Sequence, residues 1–126
     1  MGSITIESTV LIPCGRAEVY AFCVDGEARA AVPGQDGVTV HFQDLVLDRS
    51  WTETHETRSG TITCRCVVYP VADSTRLTVA AQYVPKGLGR LFSAAKEGPY
   101  RKLEEARLAA LKKAVERGVR KAKSAR

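Results

Sequence analysis

Residues 51–84 read WTETHETRSGTITCRCVVYPVADSTRLTVAAQYV and contain three strand-like segments separated by two short turn signals. The segments are residues 51–58, 61–69 and 75–84, and the turn signals are Ser59-Gly60 and Ala72-Asp73-Ser74. Within the segments, apolar and β-branched residues recur at every second position, which is typical of a strand with one buried face. Because parallel neighbours need a long crossover, such short connections predict an antiparallel meander.

The flanking segments extend this sheet and add helices. Residues 3–12 alternate in the same way and stop at Pro13, and residues 38–46 form a further strand-like run. Residues 16–24 have apolar side chains at helical spacing, and a helical pattern runs from Leu88 nearly to the end. The order β-α-β-β-β-β-α predicts an α+β fold with about five strands. A long final helix needs a large apolar surface, which the concave face of a curved sheet wrapped around it supplies.

The final helix is predicted to face the sheet through a narrow stripe of small and apolar residues. Gly98-Pro99 is expected to kink or restart this helix. The stripe consists of Leu103, Ala106, Ala110, Leu111 and Ala114, and the helix surface is assigned to Lys102, Glu104, Glu105, Lys112 and Lys113.

The length of 126 residues and the 44% of apolar residues are those of one domain with a core of its own. Residues 1–118 are assigned to this domain and residues 119–126 to a basic C-terminal tail. No apolar run approaches the ~20 residues of a membrane span, and no signal-peptide pattern is visible. A cytoplasmic protein is therefore expected. The four cysteines lack zinc-knuckle or redox spacing and are expected as free thiols in a reducing compartment.

The positive charge lies at the C-terminal end of the chain. Of the formal net charge of +5, residues 112–126 carry seven Lys or Arg and the single acid Glu116, so the remainder is close to neutral. One interpretation is contact with RNA, a ribosome or a membrane surface. The other, which we favour, is a solvated helix end whose cations complement the helix dipole. Nucleic acid is therefore not the expected partner.

Three motifs, in their order along the chain, resemble a known superfamily. Residues 12–22 read IPCGRAEVYAF after the opening strand, residues 74–79 read STRLTV, and residues 87–92 read GLGRLF before the final helix. This order resembles the START-like (SRPBCC) superfamily, which includes polyketide cyclase/dehydrase-like proteins. The chain would be shortened by about one hairpin, since four strands follow the first helices where six are common. The resemblance implies a helix-grip fold around a cavity for a polyketide- or lipid-like ligand.

Strand pairing predicts which side chains of the meander share the buried face. The predicted pairs are Arg58 with Thr61, His55 with Cys64, Glu53 with Cys66, Trp51 with Val68, Val68 with Leu77, Cys66 with Val79, Cys64 with Ala81, and Ile62 with Tyr83. Because the apolar and small members define the buried face, this pairing places Glu53 and His55 inside with them. A slip of one residue would reverse the assignment.

Glu53 and His55 are the candidates for general acid–base catalysis. Burial raises the pKa of a carboxyl group towards neutrality, where it can act as a base. Tyr83 is assigned to the catalytic set with them, because a tyrosine hydroxyl, like that of Tyr100, can donate a hydrogen bond to an enolate or phenolate. The alternative is that Glu53 and His55 lie at the cavity mouth or on an outward face, where they are solvated and idle.

The predicted ligand-binding residues surround these groups and are Trp51, Cys64, Cys66, Val79, Ala81, Phe92 and Tyr100. Several are small, so space is expected beneath the helix. Two histidines on different strands, without a carboxylate at ligand spacing, do not predict a metal site, and no cofactor motif is present.

The predicted function is binding of an apolar or aromatic small molecule, with or without catalysis of its cyclisation or dehydration. The alternatives are a non-enzymatic carrier or sensor of a hydrophobic ligand and a module that contacts RNA or a ribosome through the tail. A homodimer is left open.

Overall fold

The residues that the structure describes form one sheet of five antiparallel strands, and a long C-terminal helix follows them. The computed structural model describes residues 4–32, 38–58, 60–85 and 97–124. Its elements are β1 (Ile4–Ile12), α1 (Arg16–Cys23), α2 (Gly26–Ala30), β2 (Thr39–Val46), β3 (Ser50–Thr57), β4 (Gly60–Val71), β5 (Ser74–Pro85) and α3 (Glu97–Ser124). The strand order across the sheet is β1-β5-β4-β3-β2. This arrangement confirms the predicted α+β helix-grip architecture.

The short helix α2 is held in place by a cap at its N-terminus. The Asp25 side chain accepts hydrogen bonds from the backbone N–H groups of Glu27 and Ala28, at 3.0 and 3.3 Å. Such a cap satisfies donors that the first turn of a helix leaves free. One turn later, the same helix carries Arg29, which is buried.

The pairing of β4 with β5 has the predicted register, whereas the pairing of β3 with β4 is displaced by two residues. The observed partners across β3 and β4 are Trp51 with Cys66, Glu53 with Cys64, His55 with Ile62 and Thr57 with Gly60. Gly60 was predicted to lie in the turn but is the first residue of β4, where it adopts a φ of 154° that a residue with a side chain rarely takes. The Thr57 hydroxyl donates to the Gly60 carbonyl at 2.9 Å and accepts from the Gly60 N–H at 3.2 Å. A shift of two residues preserves the face of every side chain, so the predicted inner face is confirmed.

The core lies between this inner face and the helices α1 and α3. Its fully buried members include Ile6, Ile12, Val19, Cys23, Trp51, Cys64, Leu77, Ala81 and Val115. The helix α3 presents Glu104, Leu108, Leu111 and Val115 to the interior, at the spacing of one helical face.

The predicted stripe on α3 is therefore wrong at its N-terminal end. Leu103 and Ala106 are exposed, while Glu104, which was assigned to the surface, is fully buried. The reason is that Glu104 finds hydrogen-bond donors inside the protein, and these offset the cost of removing a carboxylate from water. Helical periodicity alone carries no information about such partners.

The C-terminal end of α3 remains helical beyond residue 118, where a basic tail was expected to begin. Gly118 lies against the Phe22 ring of α1, and Val119 packs against the core. No helix within residues 4–32 or 97–124 is long and apolar enough to cross a membrane.

Candidate functional site

The strand β3 carries three predicted site residues on its inner face. Trp51, Glu53 and His55 alternate along the strand, so their side chains project to the same side. Their exposed fractions are 0%, 1% and 2%. The structure therefore places Glu53 and His55 inside the protein and not at a solvated mouth.

The Glu53 carboxylate accepts hydrogen bonds from three directions. Arg29 donates from both terminal nitrogens, at 2.8 Å to Oε1 and 2.7 Å to Oε2, in the paired geometry that a guanidinium and a carboxylate favour. The Trp51 indole donates to Oε1 at 2.7 Å. His55 Nε2 lies 2.5 Å from Oε2. Glu53 is thus tied to a neighbouring helix and to both of its neighbours on the inner face.

Arg29 is itself fixed by further contacts. Its Nη1 donates to the carbonyl of Cys23 at 2.9 Å, and its guanidinium lies 5.6 Å from the centre of the Phe42 ring. These contacts with a carboxylate, a carbonyl and an aromatic face hold the guanidinium in one orientation. Arg29 therefore fixes the position of Glu53, and the carboxylate in turn fixes the ring of His55.

The ionisation of Glu53 differs from the prediction. Burial by itself raises the pKa of the Glu53 carboxyl, but the hydrogen bonds and charges of Arg29 and His55 outweigh burial and hold this pKa well below 4.5. The expected rise towards neutrality is therefore wrong, because a cation 24 residues away in the sequence faces the carboxylate. A carboxylate that stays ionised is a weak base, but it can orient a histidine and stabilise its protonated form.

A second group of polar side chains joins β5 to α3. Glu104 accepts hydrogen bonds from the Tyr83 hydroxyl and from Arg107, whose Nε lies 3.2 Å from Glu104 Oε2. Burial, and then the bond to Glu104, raise the pKa of Tyr83, so its hydroxyl stays protonated. The Tyr100 ring packs on that of Tyr83 with 4.7 Å between centres.

Arg107 connects the two groups. Its Nη2 donates to the Cys64 sulfur at 3.4 Å, and its Nη1 lies 3.5 Å from Glu53 Oε2. We call Arg29, Glu53, His55, Glu104 and Arg107 the buried charge cluster. Its two carboxylates balance its two guanidinium groups. Arg107 is its most accessible member, with 15% of its side chain exposed.

The remaining predicted ligand-binding residues lie around the buried charge cluster, with one exception. Cys64, Cys66, Val79 and Ala81 are buried on the same inner face. The Cys66 thiol lies 3.6 Å from Glu53 Oε1, so the room beside the small residues is partly taken by the charged side chains. Phe92 lies outside the residues that the structure describes.

Sequence reasoning missed Arg29, Glu104 and Arg107. Arg29 lies between alanines in the short run GEARA, and the other two belong to a helix rich in charged residues. One signal was present nonetheless. A carboxylate predicted to lie on an apolar face requires a buried cation, and that requirement could have prompted a search for an arginine.

Three potential metal ligands lie close together on the inner face. One ligand atom each of Glu53, His55 and Cys64 lies within 4.8 Å of the other two. The sequence spacing did not suggest this arrangement. These residue types are zinc ligands. However, burial raises the pKa of the Cys64 thiol to about 12, so the thiolate that a metal needs is disfavoured. The Arg29 and Arg107 guanidinium groups also contact this space. The donor set does not fit a cation.

No protein-family model matches the sequence, and no curated protein matches it. Solved structures do align with it over nearly its full length. A START superfamily protein from Mycobacterium smegmatis is 15% identical, with a TM-score of 0.66 over 94% of this chain and 98% of that one. Ara h 8.0201 is 11% identical, with a TM-score of 0.65 over 93% and 97%.

A third similar structure is a protein from the dynemicin biosynthetic locus. It is 13% identical, with a TM-score of 0.66 over 90% of this chain and 48% of that one. At these identities the similarity concerns the fold. Together with the observed element and strand order, these alignments show that the chain has a START-like (SRPBCC) helix-grip fold.

Proposed function

We propose that the chain binds an apolar or aromatic small molecule against the inner face of the sheet, next to α3 and the buried charge cluster. The observation that carries this proposal is the cluster itself. Replacing buried ion pairs with well-packed apolar side chains is often neutral or stabilising, so the fold alone does not require such a cluster. Ligand sites are mostly apolar surfaces with a few placed polar groups, and the inner face has this character.

Arg107 is the group through which the cluster would meet a polar atom of the ligand. It is the most accessible member, and it already donates to the oxygens of Glu104. A carbonyl, phenolate or carboxylate oxygen of the ligand would accept a hydrogen bond from the same guanidinium. The resemblance in sequence motifs implies a polyketide- or lipid-like molecule, which combines such oxygens with an apolar body.

Titration with an apolar fluorescent probe tests the proposal. Saturable binding with micromolar or tighter affinity is expected. Ile62 is half-buried and packs against the core, and Ile62→Trp should weaken binding at least tenfold by placing a larger side chain where the ligand would lie. Thr63→Trp, one residue along β4 and on the other face, is the control and should bind as the unaltered chain does. Titrations without a change in probe fluorescence, or equal losses of affinity in both variants, would contradict the proposal.

Proton-transfer catalysis is a second candidate, favoured by the contact between Glu53 and His55. His55 would accept a proton from a carbon next to a carbonyl group, and the ionised Glu53 would stabilise the resulting imidazolium. In a dehydration, the carbon–oxygen bond then breaks and the leaving hydroxide takes the proton from His55 to become water. His55 replaces Glu53 as the base in this scheme. The contacts with Arg29 and His55 hold the pKa of Glu53 well below 4.5, so its carboxylate is a weak base.

The variant His55→Gln separates an enzyme from a carrier. With a molecule that the titration identifies as a ligand, mass spectrometry would detect loss of water. In an enzyme, His55→Gln should retain binding while turnover falls by ~10²–10⁴-fold, as for a lost general base. If the unaltered chain binds the molecule and never converts it, the catalytic candidate fails and binding stands.

A further inference from the structure

An open groove of about 540 Å³ lies between β1 and α3, away from the buried charge cluster. Its apolar part is formed by Val10 of the strand and by Leu108 and Ala109 of the helix. Ser8 also lines it. The groove runs beside an edge of the sheet, since among the described strands β1 pairs only with β5.

The two edges of the sheet differ in their capacity to pair with another strand. The edge strand β2 is interrupted by a register shift between Gln43 and Val46, and Asp44 there has a φ of 54°. Such irregularities block edge pairing. In contrast, β1 pairs with β5 in unbroken register from Ile4 to Ile12. A regular edge without a bulge is the one that can accept a further strand.

Ser8 is the second observation. Its hydroxyl oxygen is buried and, within the described part of the chain, has no hydrogen-bond partner. A buried polar atom without a partner is costly, so a hydrogen bond to Ser8 from a second molecule would be favourable. Ser8 is the central residue of β1 and one of the residues that line the groove.

We infer that a second copy of this chain occupies the groove, by antiparallel pairing of the two β1 strands about a twofold axis at Ser8. In this register each Ser8 lies opposite the Ser8 of the other copy, and directly opposed residues have Cβ atoms close enough for their hydroxyls to bond. The strand is self-complementary about this point. Ile4 would face Ile12, Ile6 would face Val10, and Glu7 would face Thr9, so no like charges meet.

The charges on α3 fit the same axis. Along the groove, Glu105 and Lys113 lie four residues to either side of Ala109. A twofold axis near Ala109 brings Glu105 of each copy towards Lys113 of the other. The same axis brings Lys102 of each copy towards Glu116 of the other, since they lie seven residues to either side of Ala109. Opposite charges thus meet across the groove, which favours a second copy over an uncharged peptide.

Cysteine crosslinking tests the position of the axis. The variant Ser8→Cys should form a disulfide-linked dimer under mild oxidation, because opposed residues of antiparallel strands meet the distance requirement of a disulfide. The four native thiols are buried and should not compete. Thr9→Cys is the control, since its own counterpart would lie diagonally across the axis and too far away. Equal crosslinking of both variants, or none with either, would overturn the inferred register.

Charge reversal tests the interface without changing the strand. Glu105 and Lys113 are exposed, so Glu105→Lys and Lys113→Glu should fold normally. Each alone should weaken the dimer roughly tenfold in sedimentation measurements, because two attractive pairs become repulsive. The double variant should restore the affinity. A chain that stays monomeric at all concentrations would overturn the inference and leave the groove to a different partner, with ligand binding at the inner face unaffected.

Discussion

Glu53 is the residue whose neighbours determine what the inner face can do. It is nearly fully buried, yet it is ionised, because Arg29, Trp51 and His55 all direct hydrogen-bond donors at it. Arg107 adds a further positive charge at 3.5 Å. A carboxylate in this position acts on its neighbours through its charge and its geometry, more than through uptake of a proton.

The change Glu53→Gln is expected to destabilise the protein by about 3–5 kcal/mol, the usual cost of removing one partner from a buried ion pair. A glutamine has one acceptor oxygen, so Arg29 is left with a buried and unpaired charge. Urea denaturation measures the effect. The control is Glu56→Gln, on the same strand but exposed, which should change the free energy of unfolding by less than ~0.5 kcal/mol. Similar stabilities of both variants would contradict the account of the cluster.

At the scale of elements, Gly118 of α3 lies against Phe22 of α1. A Cβ atom added to Gly118 would lie 2.9 Å from the Phe22 ring. A side chain at position 118 would therefore oblige the Phe22 ring to move. This contact lies within one turn of the basic end of α3.

Gly118→Ala should cost about 1 kcal/mol or more, because the Phe22 ring has to move from its packed position. Alanine otherwise favours a helix over glycine by ~1 kcal/mol, so the sign of the effect is informative. Gly26→Ala is the matched control, since nothing lies within 4 Å of a Cβ atom at that helical glycine. In thermal melts, Gly118→Ala should lower the melting temperature, whereas Gly26→Ala should raise it or leave it unchanged. A stabilised Gly118→Ala would show that the two helices do not approach so closely.

Two truncations locate the end of the packed helix. Val119 packs against the core, so deletion of residues 119–126 should cost about 1 kcal/mol, the value of a half-buried valine. Deletion of residues 121–126 should change stability by less than ~0.5 kcal/mol. The ion pair that this removes, Lys123 with Glu18 at 3.8 Å, is largely exposed and contributes little. Equal stabilities of the two truncated chains would contradict a structural role for Val119.

At the scale of the whole molecule, stability should fall in acid. The folded state holds the pKa of Glu53 below its ordinary value of 4.5. This contribution is therefore fully present above that value and is lost as the pH falls through it towards the folded pKa. Urea midpoints measured at decreasing pH should fall in the unaltered chain and fall less steeply in Glu53→Gln. If the urea midpoints of both chains fell equally steeply with pH, groups other than Glu53 would cause the loss of stability in acid.

Nucleic-acid binding remains the alternative for the basic end of α3. We expect weak binding of RNA that disappears at moderate salt, because the cations are spread along an exposed helix end. Deletion of residues 121–126 should leave apolar probe binding unchanged. Tight, salt-dependent RNA binding that this deletion abolishes would favour the RNA interpretation over the ligand-binding one.

The sequence by itself determined the elements and the faces of the sheet. Alternation in residues 51–84 specified three strands with one buried side, and short turns required antiparallel pairing. Even the displaced turn at Gly60 left Glu53 and His55 inside, because a shift of two residues keeps the parity of a strand. These are local properties, fixed by the geometry of neighbouring residues.

Only the tertiary structure decided the chemistry of the inner face. Arg29 reaches Glu53 across 24 positions, Glu104 meets Tyr83 across 21, and Arg107 meets Cys64 across 43. No periodicity links such positions. The ionisation of Glu53 depends on which charges share its buried surroundings, since burial and an ion partner shift a pKa in opposite directions. Which of the two prevails is settled when α2 and α3 pack against the sheet.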